Sequence, residues 1–131
     1  MTGCTNLVPK HIFDIDRAAA CVSLGYPGVE PILPELLEWL QDCNWPVARV
    51  LAPFLGSIGL PMLPHVRKLL EGDDDIWKYW VLSRVVEESP TLAAALREDL
   101  ERIANSPTAS ETAEELDRKA REILISLNSH A

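Results

Sequence analysis

The chain is expected to fold as an all-α protein, and three observations point there. Apolar residues recur at helical spacing along the chain, no stretch shows the alternating, β-branched pattern of a strand, and one segment repeats. Ile32-Leu33-Pro34-Glu35-Leu36-Leu37-Glu38-Trp39-Leu40 returns as Met62-Leu63-Pro64-His65-Val66-Arg67-Lys68-Leu69-Leu70, with the same Leu-Pro pair and the same spacing of apolar positions. A repeat with a period of about 30 residues marks supersecondary units that stack on a shared core and present a long surface to a partner.

The helices can be placed in order. The first is predicted over Asp14 to Leu24, with Asp14 or Asp16 as cap, Ala18, Cys21 and Val22 facing inward, and Gly25 as its stop. The second covers Val29 to Leu40, where Pro31 and Pro34 fall in the first turns and cost no intrahelical bond; Asp42, Cys43 and Asn44 form the turn after it. Asn44 is the expected N-cap of the third, which takes Pro46 in its first turn, runs to Ile58 with a bend at Arg49 to Pro53, and stops at Gly59. A fourth follows over Pro61 to Leu70. Gly72-Asp73-Asp74-Asp75 then turns the chain and caps the fifth, Ile76 to Val86, which is apolar nearly all round and so suits a place between neighbours. Ser89-Pro90 opens the sixth, whose Leu92, Leu96, Leu100 and Ile103 form one stripe. Thr108-x-x-Glu111 reads as a capping box for the last helix, with Ala113, Leu116, Ala120, Ile123, Leu124 and Leu127 inward and Glu114/Arg118 and Glu115/Lys119 pairing outside.

The repetition extends beyond one helix. Ser23-Leu24-Gly25-Tyr26-Pro27 matches Ser57-Ile58-Gly59-Leu60-Pro61, and Val50-Leu51-Ala52 matches Val81-Leu82-Ser83. Each unit reads as a Leu-Pro helix, an Asp- or Asn-rich turn, and a second helix packed on the first. This order resembles the HEAT-repeat class, whose units of roughly 40 residues stack helix pairs into a superhelix. The resemblance implies a right-handed α-α superhelix of HEAT-like helix pairs, about seven helices in all. The chain also resembles a small bacterial family catalogued only as a domain of unknown function. That likeness rests on Leu7-Val8-Pro9-Lys10 with Phe13-Asp14, on Pro31 to Asp42, on Asn44-Trp45-Pro46-Val47-Ala48, on Trp77-Lys78-Tyr79-Trp80-Val81-Leu82, and on Glu98, Leu100, Glu101, Arg102, Pro107 and Thr108. It implies a helical-repeat domain and carries over no reaction, cofactor or catalytic residue.

With 131 residues, 47% of them hydrophobic, the chain is read as a single domain over 1–131, with an N-terminal extension (1–12) and a capping helix (108–128). No apolar run reaches membrane-spanning length and Met1 to Lys10 lacks signal-peptide features, so a soluble, cytoplasmic protein is expected. Cys4, Cys21 and Cys43 are an odd number without C-x-x-C spacing, which suggests reduced thiols and neither a disulfide framework nor a zinc site. The net charge of -8, with only 12 Lys and Arg, argues against nucleic-acid binding; it serves solubility or draws in a basic partner.

Aromatic residues are scarce, yet Trp39, Trp45, Trp77, Tyr79 and Trp80 gather at the two equivalent turns, Asp42 to Trp45 and Asp73 to Trp77. Stacked units would set these turns side by side, with Trp39, Asp42, Asn44, Trp45, Asp74, Trp77, Lys78, Tyr79 and Trp80 as candidate binding residues for a cationic or peptide-like partner. Packing into the core is the commoner fate of Trp and Tyr at helical spacing, and that alternative stays open. Asp73-Asp74-Asp75 lacks the spacing of a calcium loop, and His11, His65 and His130 lack metal-ligand spacing, so no metal and no cofactor is expected. No nucleophile elbow, P-loop or dinucleotide fingerprint occurs, and Cys43, Glu35, Glu38 and Asp42 have no sequence sign of catalytic partners. The leading expectation is a non-catalytic protein-binding module, monomer or homodimer, in one version an immunity protein neutralising a basic toxin. Two rivals remain: a nucleic-acid-processing enzyme with a basic stripe of Arg49, Lys78, Arg84 and Arg118, and a small-ligand carrier with a pocket under Trp45 and Trp77.

Overall fold

Short polar side chains decide where several helices begin. Asp14 caps α1 (Ile15–Leu24) by accepting the Arg17 amide, Asp74 caps α5 (Asp75–Val81) through the Trp77 amide, and Ser89 caps α6 (Pro90–Ala95) through that of Leu92. Each satisfies a donor that a helix start leaves open, a gain of about 1 kcal/mol. Thr108 and Glu111 form the reciprocal capping box at α8 (Ala109–Ala113), each side chain accepting the other's amide. The Leu-Pro helices α2 (Leu33–Glu38) and α4 (Leu63–Leu70) lack side-chain caps. Each is entered through a 3-10 turn, over 30–32 and 60–62, and carries its proline where no amide bond is lost.

The structure is a computed structural model that describes residues 3–129, and among these are nine α-helices and no strand. The fold is therefore all-α; α3 (Pro46–Ile58), which continues through Pro53, α7 (Arg97–Asn105) and α9 (Leu116–Ser129) complete the set. The count exceeds seven because two expected helices break. The sixth is interrupted at Leu96, whose φ of -99° and ψ of 13° depart from helical values, giving α6 and α7. The last is interrupted at Glu114 and Glu115, the latter with a φ of 61°, giving α8 and α9. That break turns Ala113 outward instead of inward, while Leu116, Ala120 and Ile123 stay buried. It also changes the outer pairing: Arg118 bonds Glu115 and reaches Glu122, and Lys119 bonds Glu87 and Glu122.

Three further expectations are corrected. The N-cap of α3 is Trp45, in extended backbone, because the Asn44 amide is taken by Asp42 Oδ1 at 2.9 Å and the chain enters the helix one residue later. Val22 is 40% exposed, since α1 packs on α3 and on the 3–7 turn with a face narrowed to Ala18 and Cys21. The fifth helix is α-helical only to Val81; over Leu82–Val86 it widens into a π turn, in which the Glu87 amide reaches back to the Leu82 carbonyl at 2.9 Å.

The matching Ser-x-Gly segments end α1 and α3 alike, with Gly25 at φ 74° and Gly59 at φ 79°, a region costly for any residue with a Cβ. Equivalent helices of the two repeats then pack like on like: α2 lies against α4, and α3 against the 82–86 turn. The α5 helix packs on the 39–41 turn that ends the first Leu-Pro helix, and α9 runs along α7 while touching α5, α6 and the π turn. Leu92, Leu96, Leu100 and Ile103 join Leu33, Leu36, Leu40, Leu51, Leu55, Met62, Leu82 and Leu116 in one continuous core. No single helix among the described residues is long and apolar enough to cross a membrane.

The tightest approach lies between α3 and the π turn, where a Cβ on Gly56 would stand 2.9 Å from the Arg84 carbonyl oxygen and 3.2 Å from Glu88 Cβ. Alanine is the better helix former by about 1 kcal/mol, but here overpacking against backbone outweighs it. Gly56→Ala is expected to lose about 1 kcal/mol net, read as a lower urea midpoint at unchanged slope.

Candidate functional site

The aromatic residues at the two turns are half-buried, each with part of its ring against the core. Trp39 and Trp45 flank the 42–45 turn and meet edge to face, centroids 5.9 Å apart and planes at 74°. Tyr79 and Trp80 make a second such pair on α5, at 5.9 Å and 73°. Trp77 ties the repeats together: its indole Nε1 donates to the Leu37 carbonyl of α2 at 3.0 Å. Asp42 and Asp74 are occupied locally, Asp42 with the Asn44 amide and Asp74 as the cap of α5.

Lys78 departs most from what its sequence position suggests. It points inward, its side chain 5% exposed, and its ammonium lies 3.1 Å from both Asp75 Oδ1 and Glu111 Oε2. Glu111, 1% exposed, also takes a two-pronged contact from Arg102, at 2.6 and 2.8 Å, and the Thr108 amide at 2.9 Å. The Arg102 hydrogen bonds, with those of Thr108 and Lys78, outweigh the cost of burial and hold the Glu111 carboxyl down to about 2. Lys78 thus belongs to an internal ion network and offers no free charge to a partner. The capping box was legible as a motif; Lys78 and Arg102, 33 and 9 residues away, had no local signal.

Two clefts border the turns. One, of about 330 Å³, lies between α2 and α4, with Pro34, Leu37, Leu69 and the Trp77 ring as apolar lining and Glu38, His65, Lys68, Asp73 and Asp74 at its polar side. The other, of about 740 Å³, runs along α3 beside the π turn and includes Arg49 and Arg84. The basic stripe of Arg49, Lys78, Arg84 and Arg118 does not form: only Arg49 and Arg84 share a surface, Lys78 is internal, and Arg118 is held by Glu115 at 2.6 Å on α9. Cys43 lies under this second cleft, and burial pushes its thiol up to about 11, so it stays protonated and a poor nucleophile. Among the described residues, no group of three or more His, Cys, Asp or Glu is placed to hold a metal ion. His11 accepts the Phe13 amide, His65 borders the first cleft, and His130 lies outside the described residues.

Helices and site together define a small all-α domain with an internal ion network and half-buried aromatic rings at its turns. Residues 7–124 match the family described as Domain of unknown function (DUF5071), and the chain belongs to that family. No curated protein matches it.

Two outcomes follow from the geometry. Because Glu111 titrates near 2 when folded and near 4.5 otherwise, its stabilisation is complete above pH 4.5 and fades as pH falls toward 2. Glu111→Gln is expected to flatten the acid limb of a pH-dependent urea unfolding series and to lower stability at neutral pH, where Lys78 and Arg102 lose their shared anion. Trp77→Phe keeps the ring but strands the Leu37 carbonyl, for an expected loss of about 1 kcal/mol in the same assay.

Proposed function

We propose that this chain is a non-catalytic, protein-binding helical-repeat module of HEAT type, a right-handed superhelix of helix pairs, and that the cleft between α2 and α4 receives a basic side chain of a partner protein. The superhelical reading draws on the like-on-like packing of α2 with α4 and of α3 with the π turn, which is how stacked helix pairs meet. The binding reading rests on one observation: exposed Glu38, Asp73 and Asp74 surround an apolar cleft lined by Leu37, Leu69 and Trp77. An aliphatic stem and cationic head of Lys or Arg match that arrangement, with the stem against apolar carbons and the head among carboxylates. In its specific form the partner is a basic toxin, the module is its cytoplasmic immunity protein, and the net charge of -8 speeds encounter.

Titration with an arginine-rich and a glutamate-rich peptide, followed by tryptophan emission, tests this. Only the basic peptide is expected to bind, more weakly as salt rises. The Glu38→Gln/Asp73→Asn variant is expected to bind severalfold more weakly, and a Glu98→Gln/Glu101→Gln variant of equal charge to bind as the parent does. Equal affinity of both charge variants would sink the reading.

A further inference from the structure

The groove along α3 is built differently from the acidic cleft. Its floor is small: Ala48, Ala52 and Gly56 repeat every four residues on one face of α3, so the 82–86 turn comes close without closing the space between. Arg49 stands on the α3 wall and Arg84 on the opposite one. The charge of Arg84 acts on the Cys43 thiol, just ahead of α3, which sets it at the same end as Arg49, in the first turn of that helix. Glu88 meets Gly56, seven residues beyond Arg49 and about 10 Å along the axis at 1.5 Å per residue. The groove therefore has a positive end, reinforced by the N-terminus of α3, and a negative one.

Two features are left unexplained by the fold. In a chain with 20 carboxylates, Arg17, Arg67, Arg102, Arg118 and Arg121 are paired with Asp or Glu, and Arg97 bonds Asn128. Among the described residues, Arg49 and Arg84 are the arginines without a hydrogen-bond or ion-pair partner; Arg84 rests on the Trp80 ring at 5.5 Å. Ser83, also in the groove wall, holds a hydroxyl oxygen that is buried with no hydrogen-bond partner. An unsatisfied buried hydroxyl is costly and asks for a partner.

We propose that this groove binds a small organic oxyanion, a carboxylate or phosphate ester, with its charged head between Arg49 and Arg84 and the Ser83 hydroxyl, and its body lying over Ala52 and Gly56 toward Glu88. Guanidinium groups match both kinds of head through paired N–H···O bonds. An ammonium or hydroxyl on the far end of the ligand would meet Glu88. The site is separate from the cleft between α2 and α4 and calls for ligands of the opposite charge.

Phenyl phosphate and hippurate serve as probes, followed by Arg Nε–H and Ser83 amide resonances together with Trp80 emission. Saturable shifts confined to the groove are expected with at least one probe, and the responding probe identifies the head group. Arg49→Gln and Arg84→Gln are each expected to weaken that binding about tenfold or more, whereas Arg97→Gln, with the same change of charge on another surface, leaves it intact. Arg49 makes no contact with Trp80 recorded in the fold, so its variant stands if Arg84→Gln disturbs the ring. No saturation with either probe, or equal weakening by Arg97→Gln, would overturn the proposal.

Discussion

The Glu111 carboxylate holds together three stretches that are distant in sequence. One oxygen caps its own helix at Thr108 and meets Arg102 of α7, and the other meets Arg102 again and Lys78 of α5. Lys78 is completed by Asp75, one turn back on α5. Removing any member would leave charge in a region with almost no access to water, a cost larger than the pair's own attraction supplies. The angle of α5 is thereby set from its inner side, and α5 carries Trp77 to the Leu37 carbonyl, the Tyr79–Trp80 pair, and the π turn that faces α3.

How much of this was legible in the sequence follows from how local each determinant is. Asp14, Asp74, Ser89 and the Thr108/Glu111 box act within three residues, and each caps the helix its position suggests. The Leu92, Leu96, Leu100 and Ile103 stripe is periodic, and all four residues are buried even though the helix beneath them breaks at Leu96. Breaks at Leu96 and Glu115 have no Gly or Pro to announce them; tertiary packing against α9 overrides local preference. The candidate site was readable only as a set of residue types. Trp77 reaches an acceptor 40 residues away, and Lys78 an anion 33 away, so the side chain that looked available on a helix wheel is the one turned inward.

The acidic excess of the chain conceals an uneven surface. Most cations are consumed by nearby carboxylates, which leaves Glu38, Asp73 and Asp74 dominant at the first cleft. At the α3 groove the balance inverts, because Arg49 and Arg84 have no carboxylate in reach. A single net charge therefore describes neither surface, and each must be read from its own neighbours.

A π turn is what remains when a helix accepts one residue more than its ladder was built for. Taking one residue out of 82–86 would let α5 run on as an ordinary α-helix, yet it would swing everything downstream by about 100° around the axis, the angle one residue spans. Ser83 and Arg84 would leave the wall of the groove, Glu88 would rotate away from Gly56, and Ser89 would no longer meet the start of α6 in line. Shortening here is closed to the lineage of this chain unless several neighbours change together, while the loops at 26–29 and 106–108 carry no comparable phase and can drift in length.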